Sequence, residues 1–322
     1  MKVSFYTDYF KKCWKMLWQL HKEEKISMPW LLVDYTWCLV RHGCLIRQYV
    51  DGGFYKLQNY MRNRCFTQRR LESIIKKYNN GNYTHILENK NEFNEFFHKY
   101  IERSWLYCMQ MTKEDFCKLS NNSESIFLKP LNDQEGHGIE RISTINLEIE
   151  KIYNEFVGKD YIVEAAIIQH PCMCFNSQSV NTVRILTVLD DCKKARVLRA
   201  GLRVGVGNSI VDNFTAGGVL YEIDAESGII SHKGIRGNDF NLIFHPNTDR
   251  CMLGFQIPHW HKVIQTVCDA AAMLPQCRFI GWDVAITVNG VELIEGNHNP
   301  GVFTLESLGT PGAFADAKEI LK

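Results

Sequence analysis

The sequence predicts an α+β fold with a mainly helical front, and three observations carry that expectation. Apolar residues recur at helical spacing through residues 1–115. The pattern switches to strand alternation after Asn121-Asn122, and glycine- and asparagine-marked turns then punctuate the strands. A chain of 322 residues can bury a full core and is expected to hold two or three subdomains, which we place at 1–115, 116–178 and 179–322. With 45% hydrophobic and 23% charged residues, the composition is that of a globular protein.

Residues 1–115 read as helices broken near Asp51-Gly52-Gly53 and Asn79-Asn80-Gly81-Asn82. Phe10, Cys13/Trp14, Leu17 and Leu20 follow helical spacing, which makes the first helix amphipathic. The longest apolar run, 28–40, falls short of the roughly 20 residues a membrane span needs and carries Asp34. Asp8, Lys11, Lys12 and Lys15 stand where an export signal needs its apolar stretch, so a cytosolic location is expected. Twelve scattered cysteines without a C-x-x-C pair read as reduced, mostly buried thiols, and His170, Cys172 and Cys174 match no usual zinc spacing.

The front is basic, with 17 Lys and Arg against 9 Asp and Glu over residues 1–100, while the remainder is acidic in balance. Lys11, Lys12, Lys15, Arg62, Arg64, Arg69, Arg70, Lys76 and Lys77 interleave with apolar residues. A solvated helical face accounts for this pattern, and so does attraction to an anionic glycan carrier or a membrane surface contacted peripherally. No motif for nucleic acid is present.

Residues 125–129 alternate as a strand, 130–138 form a loop, 139–145 a second strand, 148–156 a helix and 161–164 a third strand. From 180 to about 304 strands dominate, interrupted by a helix at 259–273. In Gly281-Trp282-Asp283, Asp283 is expected to start a strand, and Glu295 and Asn297 to end its antiparallel partner across the Asn289-Gly290 turn. Side chains two apart on a strand share a face, so two carboxylates and an amide oxygen would converge there, a hard-oxygen set suited to Mg²⁺. An ordinary solvated hairpin end would use the same residue types.

Lys129 ends a strand and is followed by Gly136-His137-Gly138-Ile139, a turn able to close over phosphates or to serve as a plain hairpin. There is no G-x-x-x-x-G-K-[ST] and no G-x-G-x-x-G between a strand and a helix. Arg184 lies inside an apolar strand, where burial demands an anionic partner, either a phosphate or one of the carboxylates. Arg203 adds a second cation, and Asp212-Asn213 leads into Gly217-Gly218.

In this order, Lys129-Pro130, the glycine loop, Val163-Glu164, Asn181-Thr182-Val183-Arg184, Arg203, Asp212-Asn213 with Gly217-Gly218, Gly281-Trp282-Asp283 and Glu295-Gly296-Asn297 resemble the ATP-grasp superfamily. The match is best to its sugar-transfer-associated members from surface-polysaccharide gene clusters. The resemblance implies two α+β subdomains clasping ATP behind the helical front, with Lys129 and Lys90 on phosphates and 136–139 as the flap. Glu164 would open the hinge whose backbone near Ala166 and Ile167 meets adenine. Gln169 stands where relatives place the ribose carboxylate. Arg184 would reach the terminal phosphate, Arg203 the substrate carboxylate, and Asn213 would border the acceptor, with Asp283, Glu295 and Asn297 on Mg²⁺. The implied activity is an ATP-dependent carboxylate-amine ligase joining an amino acid or amine to a sugar acid. A sugar phosphotransferase and a non-catalytic scaffold for glycosyltransferases are the alternatives.

Overall fold

A computed structural model of the chain describes residues 2–132, 138–175, 179–207, 212, 217–237, 239–301 and 311–321, the side chains of 2–6 and 240 excepted. The front half is helical, as its periodicity predicts. Helices α1 (Lys2–Glu24), α2 (Met28–His42), α3 (Ile46–Val50) and α4 (Asn59–Arg62) enclose a core of their own that includes Leu17, Leu20, Leu31, Tyr35, Cys38 and Tyr49. Gly43 ends α2 at φ +68°, its N–H returning to the Leu39 carbonyl and that of Cys44 to the Cys38 carbonyl, and a Cβ on Gly43 would fall 2.4 Å from Arg69 Cβ. No helix among the described residues is long and apolar enough to cross a membrane. None of the twelve cysteines is in a disulfide, and six of them are buried.

Four arginines of the basic front are tied to the molecule, Arg64 and Arg69 while remaining exposed. Arg62 is buried and grips Asp34 through two N–H groups at 2.6 and 2.9 Å. Arg69 donates to the Val40 and Arg41 carbonyls, Arg70 to those of Arg62 and Cys65, and Arg64 meets Asp316 at 3.3 Å.

Helices α5 (Gln68–Tyr78), α6 (His85–Glu88) and α7 (Lys90–Phe96) lead into β1 (Trp105–Tyr107), a strand inside the stretch read as helical. After α8 (Lys113–Asn121), β1 joins β2 (Ser125–Pro130), β3 (Glu140–Ser143) and β4 (Tyr161–Ala165) in an antiparallel sheet of order β1-β4-β2-β3. Helices α8 and α9 (Ile149–Phe156) cover it through Phe116, Leu119 and Phe156 against Ile126, Leu128 and Val163.

The larger sheet has the order β11-β10-β5-β6-β7-β8-β9. Its strands are β5 (Thr182–Leu189), β6 (Ala195–Val204), β7 (Val219–Ile223), β8 (Gly234–Arg236), β9 (Asp239–Leu242), β10 (Phe279–Ile286) and β11 (Val291–Asn297), with α10 (Trp260–Met273) and α11 (Ala313–Ile320). Alternation assigns Val183, Ile185, Trp282 and Val284 to the face packed on α10. Leu186, Val188, Leu198 and Phe279 pack on the other, beneath α5 and α11. Asp283 lies inside β10 rather than at its start, because the strand begins at Phe279.

Candidate active site

The second face of the large sheet changes character along its length. Beyond the apolar end covered by α5 and α11, the same face carries Thr182 and Arg184 of β5, Asp283 of β10, Glu295 of β11 and Arg203 of β6. Register places Arg184 opposite Asp283, Asp283 opposite Glu295, and Thr182 opposite Arg203. Two glycines permit this. A Cβ on Gly281, two residues before Asp283, would lie 2.6 Å from Pro300 Cβ. On the opposite face, a Cβ on Gly296 would meet Leu87 at 2.8 Å, Phe93 at 3.1 Å and Trp282 at 3.3 Å. Trp282 anchors that side, fully buried, with Nε1 donating to Thr187 Oγ1 at 2.8 Å. A register slip at Asp283/Val284 leaves Ile294 as an extra residue in β11, a bulge that re-aims Glu295.

Asp283 is 1% exposed and holds two guanidinium groups. Arg184 donates through Nε to Oδ1 and through Nη2 to Oδ2 at 2.9 Å, and Arg203 Nη2 reaches Oδ2 at 2.7 Å. Burial alone would raise the Asp283 pKa, yet Arg184 and Arg203 together hold it below the ordinary carboxylate range. Glu295 stands 4.0 Å from Arg184 Nη2 and accepts from Asn297 Nδ2 at 3.2 Å. Desolvation, then the neighbouring Asp283 carboxylate, pushes its carboxyl up to about 7. Because 48% of the Glu295 side chain is open to solvent, water relieves part of that push. Arg203 is no solvent-facing strand arginine: its Nε and Nη2 donate to Thr182 Oγ1 at 2.9 and 2.8 Å, and Asp212 lies at 3.6 Å. Asp212 in turn accepts from the Thr182 N–H at 2.9 Å and from its hydroxyl.

A second cluster joins the sheets. Lys129 Nζ at the end of β2 meets Glu164 Oε2 of β4 at 2.5 Å. Glu164 Oε1 accepts from Asn94 at 2.9 Å and from Arg103 Nη2 at 2.9 Å. Arg103 continues to Glu292 Oε2 of β11 at 3.3 Å and to the Leu293 carbonyl at 2.8 Å. Burial would raise the Glu164 pKa, and Arg103 with Lys129 holds it below the carboxylate range instead. Lys90 Nζ donates to the Pro130 carbonyl at 2.8 Å, which sets both lysines at the end of β2.

A model of the family described as sugar-transfer associated ATP-grasp matches residues 69–322. The chain belongs to that family. No curated protein matches it in sequence. Among solved structures, it resembles the ATP-grasp ligase PsnB complexed with a phosphomimetic variant of its minimal precursor, Mg and ADP. That likeness has 12% identity and a TM-score of 0.46, over 76% of this chain and 60% of that one. It also resembles D-alanyl-alanine synthetase A from Vibrio cholerae O1 biovar eltor, at 12% identity and a TM-score of 0.44, over 73% of this chain and 65% of the other. A third is the ADP complex of purK, N5-carboxyaminoimidazole ribonucleotide synthetase, at 10% and 0.44, over 79% and 57%. The chain spans less than two thirds of the length of each.

Within this ATP-grasp chain, two residue groups from the sequence reading come together: Arg184, Arg203, Asp283, Glu295 and Asn297 on the large sheet, and Lys129 with Glu164 on the small one. Gly138 is described, at φ +68°, and precedes Ile139; Gly136, His137 and Asn213 lie outside the described residues. The Ala166 N–H donates to the Ser125 carbonyl at 3.0 Å, with Ile167 following it between the sheets. Gln169 accepts from the Asn181 N–H at 2.5 Å and donates to the Met173 carbonyl at 2.9 Å, so both ends of its amide serve the loop before β5. Sequence reasoning missed Arg103, Asn94, Glu292 and Asn79. Asn79, read as a breaker, clasps Phe279 N at 3.0 Å, Phe279 O at 2.8 Å and His298 O at 3.0 Å, fixing the start of β10 against the end of β11.

The oxygen set at the large sheet fits a hard divalent cation. Asp283 and Glu295 are paired across the strands, one raising the other's pKa, and Asn297 adjoins them. Among the described residues no three His, Cys, Asp or Glu side chains cluster, so the set would rest on two carboxylates and an amide.

Proposed function

We propose that the protein is an ATP- and Mg²⁺-dependent carboxylate-amine ligase. The observation that carries this reading is the convergence of Arg184 and Arg203, from adjacent strands, on the buried Asp283 with Glu295 paired across the strands beside it. The cation would be held by Asp283, Glu295 and Asn297 and would neutralise phosphate charge there. Lys129, oriented by Glu164, and Lys90 at the same strand end would contact the phosphates, with 136–139 folding over them. The segment at Ala166 and Ile167 would border the adenine and Gln169 the ribose. Among the described residues nothing accepts from Arg184 Nη1, which leaves that arm for the terminal phosphate. Arg203 would orient the acceptor carboxylate, with Asn213 at its border.

In this scheme an acceptor carboxylate oxygen attacks the γ-phosphorus, the bond to ADP breaks, and the acyl-phosphate is then attacked by an amine that expels phosphate. Positioning and fixed charge supply most of the rate. The family's description, sugar-transfer associated, supports a sugar-linked substrate; a sugar acid as acceptor and a place in surface-polysaccharide assembly are our extension of it.

Product analysis tests the proposal. With ATP, Mg²⁺, a uronic acid and an amino acid, a ligase releases equal ADP and phosphate with a new amide, and hydroxylamine diverts the acyl-phosphate to a hydroxamate. Phosphate retained on a sugar hydroxyl would replace this reading with a phosphotransferase.

A further inference from the structure

Four of the seven tryptophans sit on α1 and α2, each 44–54% exposed. Buried Cys13, Leu17 and Leu20 turn one side of α1 inward, while Phe10, Trp14 and Trp18, at i, i+4 and i+8, form an outward stripe. Lys11, Lys15 and Lys22 lie on the adjoining strip at helical spacing, all exposed, and Lys22 Nζ stands 5.5 Å over the Trp18 ring. On α2, Leu31, Tyr35, Cys38 and His42 face the core, and Trp30, Val33 and Trp37, at i, i+3 and i+7, face out. The helices run antiparallel, since Tyr9 and Tyr35 touch at 3.1 Å while residues 25–27 join the far ends.

Charge completes the picture. Of the hairpin's acids, Asp34 is drawn inward to Arg62 and Tyr49 and the exposed Glu24 is paired with Lys56 and Tyr55, which leaves exposed Asp8 and Glu23 against exposed Lys11, Lys12, Lys15, Lys22, Lys25 and Arg41, an outward balance that is basic. We infer that the α1–α2 hairpin lies on the surface of an anionic lipid bilayer, its tryptophans seated at headgroup depth and its lysines against the phosphates. Tryptophan prefers that depth because one end of the indole is apolar and the other donates a hydrogen bond. Neither helix spans: α2 has 15 residues, short of the roughly 20 required, and α1, though 23 residues long, is too charged to be apolar enough, so the hairpin would rest on the membrane. The inference is independent of the reading of the active site.

The full chain is mixed with phosphatidylcholine vesicles and with vesicles carrying phosphatidylglycerol, then sedimented. Binding to the anionic vesicles, a blue shift of tryptophan emission and release by salt are expected. Replacing Lys11, Lys15 and Lys22 by Glu should weaken binding on the order of a hundredfold or more, given about 1 kcal/mol per basic residue near the surface. Trp30→Ala with Trp37→Ala should weaken vesicle binding and shrink the blue shift to what Trp14 and Trp18 contribute, while circular dichroism remains that of the parent. The parent staying in the supernatant with both vesicle types would overturn the inference. So would a vesicle-independent dimer that the Trp30/Trp37 variant dissociates, because a second copy would then own this face.

Discussion

A glutamate that holds its proton up to about 7 titrates where most carboxylates are already charged, and Glu295 is in that position. Its pKa rises on folding from an ordinary value near 4.5, so its contribution to stability is complete below that pH and is lost as pH climbs through about 7. Without Mg²⁺, the parent should therefore lose stability relative to Glu295→Gln between about pH 5 and 8. Cation binding should release a proton in the same window and reverse the loss in the parent alone. Thermal melts of both proteins at the two pH values, with and without Mg²⁺, check this, and identical pH slopes would show that Glu295 does not titrate there. At this scale the sequence is half legible. An arginine inside an apolar strand announces that an anion must stand beside it, and Arg184 is readable in that way. Which anion is not readable, since Asp283 comes 99 residues later and only the strand order joins them. Arg103 carries no signal at all, because Ile101-Glu102-Arg103-Ser104 has neither periodicity nor motif.

Between residue and molecule stands the hairpin of β10 and β11. Its strand alternation and Asn289-Gly290 turn are visible in the sequence, but the bulge at Ile294 is not, because it arises from pairing. Gly296 separates Glu295 from Asn297 for a packing reason: the strand must lie close over Leu87, Phe93 and Trp282. Gly296→Ala should cost about 1–3 kcal/mol by overpacking and should weaken Mg²⁺ binding as Glu295 and Asn297 lift away. Urea unfolding and a Mg²⁺ titration of the melting temperature measure the two effects. An unchanged protein in both would mean that Leu87 yields freely.

Across the whole molecule, Arg103 is the bolt between the sheets, holding Glu164 of the small one and Glu292 of the large one with all three side chains buried. Arg103→Ala would leave Glu292 enclosed without its cation and Glu164 with Lys129 alone, at about 3–5 kcal/mol. It would also free Lys129 from its oriented partner's network, so nucleotide affinity should fall with stability. A loss under about 1 kcal/mol in urea unfolding would deny Arg103 this part.

The wide separation of Arg184 from its carboxylate also bears on the order of assembly. Strands β5, β6 and β7 follow one another closely in the chain and can zip into a meander early. That meander contains Arg184 and Arg203 but lacks Asp283, which pairs only when β10 docks beside β5. Arg203 has Asp212 of the same segment beside it, but the Arg184 guanidinium resists dehydration until then, so the early meander stays wet on this face. Docking of one late strand both seals the sheet and supplies the carboxylate that Arg184 lacks, and any interruption of synthesis before β10 forfeits the arginine–carboxylate row together with the stability of the strands that present it.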